Sequence, residues 1–485
     1  MSVLAIDQGT TSTRALLFRT ANGGGEVRQL VHAARHRQIH PAPGHVEHDP
    51  CELLGHLREC LAAAAALRVD AVGIDNQGES CLAWDAESGL AISPVLVWQD
   101  ARTAAWIDRL RQDGAEAMAR TTTGLPLDTY FSASKLGWIM ANLPDARRLH
   151  KKGQLRLGTT DAFFLDRLTG RFVTDITTAS RTGLMDLRTG AWDAELCRLY
   201  GVPIDVLPAI VPTTGAFGTV TIGVREVPVT ASVVDQQAAL YGHGCRQPGD
   251  AKITFGTGAF ALAVAGTTPP PTDAADGLLP TVAWQKAGEP PTYALDGGVH
   301  TASAALDWTQ GLGLFSDHSE LGQFGKTTAL ERGLVFVPAL SGLACPHWDK
   351  LARGAWLGLE LGMERELLVQ AVLEGVALRM AEVVEALRQR LPLAEPLPID
   401  GGMSTNPWFT QFLADALGAR LRVSDEPELT ARGTAELAAE AAGLTLDLGA
   451  GGRMIEPSPL PAHLRERFGA AVAAVRQYGR AGRVV

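Results

Sequence analysis

The sequence predicts an α/β fold of two lobes flanking a cleft, on three observations. Two strand–turn–strand segments rich in glycine and threonine open the two halves of the chain, at residues 4–18 and 253–262. Around them, short apolar or β-branched runs alternate with longer stretches of helical periodicity. The length of 485 residues exceeds what one core ordinarily fills and suits two domains of about 240 residues each. Gln247-Pro248-Gly249, directly before the second hairpin, reads as the hinge and places the domains at 1–246 and 247–485.

After the first hairpin, residues 53–67 carry the spacing of a helix, and 70–75 read as a short buried strand. Helical spacing returns over 103–119, 134–141 and 162–168, the last capped by Gly158-Thr159-Thr160-Asp161. Residues 227–234 form a strand that runs into Asp235-Gln236-Gln237 and a helix over 238–241. In the second half, 267–273 is a proline-rich loop, 333–338 a strand and 364–388 a long helix. Residues 398–402 read as a strand ending in glycines, followed by helices over 407–417 and 431–442. Strand–glycine–helix units of this kind place ligands at the carboxyl ends of their strands.

An apolar content of 46% with 20% charged residues is that of an ordinary globular chain. The net charge of −10 argues against nucleic acid and anionic membranes, because an acidic surface repels both. Six cysteines show neither a CxxC pair nor metal-ligand spacing and read as thiols in a reducing compartment. The amino terminus lacks a basic segment of the kind that precedes a secretory signal, and the longest apolar runs, such as 61–67, are too short to span a bilayer. A cytoplasmic location, with no membrane insertion, is the expectation.

Asp7-Gln8-Gly9-Thr10-Thr11-Ser12-Thr13-Arg14 is compatible with an ordinary polar hairpin turn. An aspartate ending an apolar strand, four successive hydroxyls and an arginine favour phosphate binding instead. Glycine lets the backbone approach a ligand closely, and clustered N–H and hydroxyl groups donate to phosphate oxygens. In that reading Thr10, Thr11 and Ser12 line the phosphates and Arg14 neutralises charge. Asp7 holds Mg²⁺ through water, since Mg²⁺ keeps much of its hydration shell. No GxxxxGK[ST] run occurs, which excludes a P-loop. Gly256-Thr257-Gly258 is weak alone and gains from its place after a strand. Gly401-Gly402 followed by Asn406 fits an adenosine edge as well as a plain strand-to-helix turn. Asp235 is a helix cap by position, and at a strand's carboxyl end it also faces the cleft, where it can take a proton from a substrate hydroxyl. Glu79 in a turn is ordinarily a surface carboxylate and Trp98 ordinarily core; with Tyr130 they gain meaning only together.

Taken together these residues resemble the FGGY carbohydrate kinase family, and within it the glycerol kinase-like branch. Beyond the hairpins the resemblance is carried by Pro43-Gly44-His45-Val46-Glu47-His48-Asp49-Pro50, Val97-Trp98-Gln99-Asp100-Ala101-Arg102-Thr103 and Tyr130-Phe131-Ser132-Ala133-Ser134-Lys135. Asp235-Gln236-Gln237-Ala238-Ala239-Leu240, Pro346-His347-Trp348-Asp349, Ala352-Arg353-Gly354-Ala355 and Asp400-Gly401-Gly402 extend it over nearly the whole chain. It implies two ribonuclease-H-like lobes, as in actin-like ATPases, that close over ATP, Mg²⁺ and a small polyol or sugar. It implies Asp235 as catalytic base, and Gly78, Glu79, Trp98, Tyr130, Asp235, Gln236 and Phe260 around the acceptor. Thr10, Thr11, Ser12, Arg14, Gly256, Thr257, Ser303, Asp307, Gly402 and Asn406 fall at nucleotide positions, and a homodimer or homotetramer is the assembly expected.

The chain also departs from the pattern. Gly78 stands where glycerol kinases carry an arginine before the pocket glutamate, which removes a planar fork of donors and leaves space. The expectation is weak glycerol binding, or a longer polyol or ketose of the erythritol, xylitol or xylulose kind. Ser303 and Asp307 replace the family's glycine and glutamine in the adenine site. Residues 221–226 offer no glycine-rich loop for fructose bisphosphate, and the tail over 465–485 does not resemble the segment through which some members bind a regulatory protein. The rival from another class is a catalytically silent, actin-like nucleotide-binding regulator, against which the retention of both Asp7 and Asp235 argues.

Overall fold

Ser2–Gln8 (β1) is buried along its whole length, as a strand covered on both faces must be. The computed structural model describes residues 2–20, 26–272, 276–322, 324–325, 327–446, 448–449 and 451–481. At Gly9, whose N–H bonds Ser12 O at 3.0 Å, the chain turns back into Ser12–Thr20 (β2), which pairs with Glu26–Arg35 (β3). Ala71–Asn76 (β4) runs parallel to β1 on its other side. Thr219–Ile222 (β5) and Arg225–Val234 (β6) complete a six-stranded sheet in the order β5-β6-β4-β1-β2-β3.

The second half builds the same motif again. Ala251–Phe255 (β7) and Ala259–Gly266 (β8) form its hairpin. Leu279–Trp284 (β9) and Thr292–Val299 (β10) extend one side, and Leu397–Gly401 (β11), Leu421–Ser424 (β12) and Gly452–Ile455 (β13) the other. The order is β9-β10-β8-β7-β11-β12-β13. β7 is antiparallel to β8 and parallel to β11, as β1 is to β2 and β4. The repetition that the sequence shows only in its hairpins is therefore a repetition of topology. Each lobe has its own core, one around Ile6, Leu57 and Trp84 and the other around Phe255, Phe336 and Leu413.

Between the sheets two helices cross, Asp235–Gly242 and Leu429–Ala441, sharing a core of Ala238, Leu240, Ala435 and Leu437 with Val3, Ala231 and Leu262. Their closeness needs glycine: a Cβ on Gly433 would lie 1.8 Å from Ala238 O. A helix from the second half thus packs on the first sheet, and each lobe holds part of the other's wall.

Most predicted elements appear within a few residues of their expected ends, and Pro407–Leu417 spans the expected residues. The helix expected over 103–119 is two, Ala104–Gln112 and Glu116–Thr123, separated where Gly114 takes φ +82°. The tail folds as a helix over Ala462–Ala481. Asp273 of the proline-rich loop and residues 482–485 of the tail lie outside the described residues. Among the described residues no helix is long and apolar enough to cross a membrane.

Candidate active site

β1, β4 and β6 end side by side at the cleft, and the turns after β4 and β6 supply one wall of a small cavity. Gly78, Glu79, Trp98, Tyr130, Asp235, Gln236 and Phe260, all expected around an acceptor, line this single space of about 160 Å³ together with Thr10 and Thr257. Glu79 is no surface carboxylate. It is 4% exposed and takes φ +60°, a backbone conformation rare for a residue with a long side chain. Trp98 packs edge-on to Tyr130 with ring centroids 5.6 Å apart, and its Nε1 donates to Thr10 Oγ1 at 3.0 Å. Lys135, fully buried, donates to the carbonyls of Thr129 and Tyr130 and so fixes that edge of the pocket.

Further polar residues of the wall include three that no motif in the sequence announced: Gln77, Arg181 and Asp296. Arg181 follows the short helix Ile176–Ala179, and its Nε donates to Glu79 Oε1 at 2.6 Å. Its Nη1 lies 3.1 Å from Asp296 Oδ2 on β10 of the other lobe. Asp296 Oδ1 and Gln77 Nε2 are buried with no hydrogen-bond partner, which marks them as groups that await a ligand or water. Gly78 removes one donor fork, as expected, and Arg181 brings a guanidinium to the same pocket from a different element. A Cβ on Gly78 would already touch Val234 Cγ1 at 3.1 Å.

Asp235 begins its helix directly after β6, and its Oδ1 accepts from the Gln236 N–H at 2.7 Å. Burial first, and then the negative charges of Glu79 and Asp7, push the carboxyl up to about 7, where a general base can work near neutral pH. Burial also raises Glu79, against the pull of Arg181.

A second cavity of about 460 Å³ adjoins the first, and Gly256 and Thr257 belong to both walls. Ser303, Gly402 and Asn406 line it beside Leu306, Leu321 and Met403, the apolar walls a nucleobase needs. Not every expected nucleotide residue lines this cavity. Asn406 does, while its Oδ1 caps the helix Pro407–Leu417 and one N–H of its Nδ2 donates to Leu321 O at 2.8 Å, which leaves the second N–H for a ligand. Asp307 is exposed on its helix and outside this wall. Thr11 and Ser12 sit at the hairpin turn outside both walls, Thr11 exposed. Arg14 is engaged by Asp7 at 2.7 Å and by Glu428 of the other lobe.

For a hard cation the donors are oxygens. Asp7 and Asp75 are register neighbours on β1 and β4, and Asp75 Oδ1 and Gln8 Oε1 are buried without a partner. Burial and the nearby Asp7 hold Asp75 well above the usual carboxylate range. Among the described residues no three His, Cys, Asp or Glu side chains form a metal cage. The two carboxylates and the orphaned Gln8 oxygen are of the kind that fits Mg²⁺, which takes one or two carboxylates and otherwise keeps water and phosphate oxygens.

The profiles of the N-terminal and C-terminal domains of the FGGY family of carbohydrate kinases match residues 2–242 and 251–442. The chain belongs to this family. Glycerol kinases are among its relatives: that of Citrifermentans bemidjiense is 40% identical over 455 residues, covering 91% of this chain and 90% of its own. That of Trichlorobacter lovleyi is 42% identical over 92% and 91%. Plasmodium falciparum glycerol kinase with ADP superposes with a TM-score of 0.87 at 29% identity over 98% of both chains. A ligand-bound xylulose kinase from Lactobacillus acidophilus shares the fold, with a TM-score of 0.84 at 20% identity over 99% of each. As an FGGY kinase, with the actin-like ATPase architecture, the protein is a phosphotransferase that moves a phosphoryl group from ATP to an alcohol.

Proposed function

We propose that the acceptor is glycerol or a polyol of closely similar size, phosphorylated at a terminal hydroxyl. The observation that carries this is the junction at Gly256 and Thr257: a small cavity lined by a tuned carboxyl adjoins a larger one with apolar walls. At about 160 Å³ the acceptor cavity lies well below the ~300–1,000 Å³ of sites for drug-sized ligands. The glycerol kinases among the relatives point the same way.

In this reading Asp235 accepts the proton of the attacking hydroxyl as its oxygen bonds the γ-phosphorus and the bond to the bridging oxygen of ADP breaks. Glu79 and Tyr130 orient the other hydroxyls, Arg181 donates to them in place of an arginine at 78, and Trp98 and Phe260 cover the carbon chain. Thr10 and Thr257 face the transferring group, and Gly402 and Ser303 border the base. Asp7, with Asp75 behind it, would hold Mg²⁺, which neutralises phosphate charge when bound. Closure of the lobes keeps water from replacing the alcohol. A cytoplasmic enzyme and a homodimer or homotetramer remain part of the proposal.

A coupled ADP-release assay across glycerol, erythritol, threitol, xylitol, arabitol and common ketoses tests it. Glycerol should give the highest kcat/KM. A four- or five-carbon substrate at least about tenfold better would reverse the assignment.

A further inference from the structure

Lys252 is the second residue of β7, is completely buried, and has no carboxylate at ion-pair distance among the described residues. Its Nζ donates to Gln236 Oε1 at 2.6 Å and to Thr254 Oγ1 at 2.8 Å. Burial lowers its proton affinity, and Asp400, Asp235 and Asp296 oppose that from a distance. A buried ammonium is expensive, so its position calls for a role.

Hydrogen-bond chemistry supplies one. An ammonium only donates, so the amide of Gln236 must turn its oxygen to Lys252 and its NH₂ the other way. Gln236 lines the acceptor cavity, and its Nε2 has no protein partner among the described residues. We propose that Lys252 is a positioning residue that locks the Gln236 amide so that only its N–H end meets the acceptor. A substrate oxygen at that point must therefore accept a hydrogen bond, while Glu79 and Asp235 take bonds from hydroxyl protons. The three groups together impose a donor and acceptor order along the polyol. Because Lys252 stands on the strand that continues into Gly256 and Thr257, the second lobe sets the orientation of a first-lobe side chain. The inference rests on the polyol kinase reading.

A double-mutant cycle with Lys252→Met and Gln236→Met tests it, reading KM for polyol and for ATP separately in the full-length enzyme. Each single variant should raise the polyol KM about tenfold, the loss of one hydrogen bond, and leave the ATP KM within about twofold. The double variant should be no worse than Gln236→Met, since residues acting through one another are not additive. Multiplying effects, an unchanged polyol KM or a raised ATP KM would overturn the role. Gln236→Glu gives an independent reading that does not need the Lys252 variant to fold. Its carboxylate pairs with Lys252 and offers no N–H, so the polyol KM should rise at least about tenfold; an unchanged value would also overturn the proposal. Failure of every polyol to support ADP release in the parent enzyme would instead sink the kinase reading on which this stands.

Discussion

Arg181 Nη1 lies 3.1 Å from Asp296 Oδ2 across the cleft, while Nε of the same guanidinium holds Glu79 at 2.6 Å. One buried cation thus ties the acceptor carboxylate of the first lobe to the sheet of the second. Arg181→Lys keeps the charge but loses the planar fork. A charged hydrogen bond contributes about 1.5–3 kcal/mol, so kcat/KM for the polyol should fall roughly ten- to a hundredfold. Steady-state kinetics should place the loss in the polyol terms with ATP affinity unchanged.

The Asp235 carboxyl, raised to about 7, acts only when deprotonated. Its folded-state value lies above the ordinary carboxylate range, so the active form is lost as pH falls through about 7. Below that midpoint kcat/KM should drop about tenfold per pH unit. Glu79 is one of the charges that raise it, so Glu79→Gln should move the limb to lower pH as well as weakening polyol binding. A profile flat down to pH about 5.5 would count against both roles.

Asn406 serves the helix it caps and the Leu321 carbonyl. Asn406→Ala should lower stability by about 1 kcal/mol, the usual cost of losing a cap, as read by urea unfolding. Asn406→Asp keeps the capping oxygen and should lose less. Both remove the N–H left for a ligand, so both should raise the ATP KM.

At the crossing of the two central helices, Gly433→Ala would drive a methyl group into the Ala238 carbonyl, 1.8 Å away. Relief requires the helices to separate, and overpacking of this kind costs about 1–3 kcal/mol or more. Because the crossing joins the lobes, thermal unfolding should fall to a lower Tm.

Much of this arrangement was legible in sequence because its signals are local. The hairpin at Gly9 and the strand that runs into Asp235 each declare themselves within about ten residues, whereas Gly256 and the turn bearing Glu79 gain meaning only beside the other motifs. The rest was hidden by distance. Arg181 reaches Glu79 from 102 positions away, and Lys252 meets Gln236 from a different lobe; neither sits in a motif. Asn406 and Arg14 carry plausible donor groups whose occupation by Leu321, Asp7 and Glu428 only tertiary structure reveals. Gly78 shows the same limit: a missing side chain says nothing about which other groups line the pocket.

The most direct test compares ADP release by the parent enzyme and Asp235→Asn, with and without glycerol. Release should depend on glycerol in the parent, and the variant should lose at least about a hundredfold in kcat while its ATP KM stays unchanged. A near-normal rate in the variant, or release indifferent to every polyol, would contradict the account.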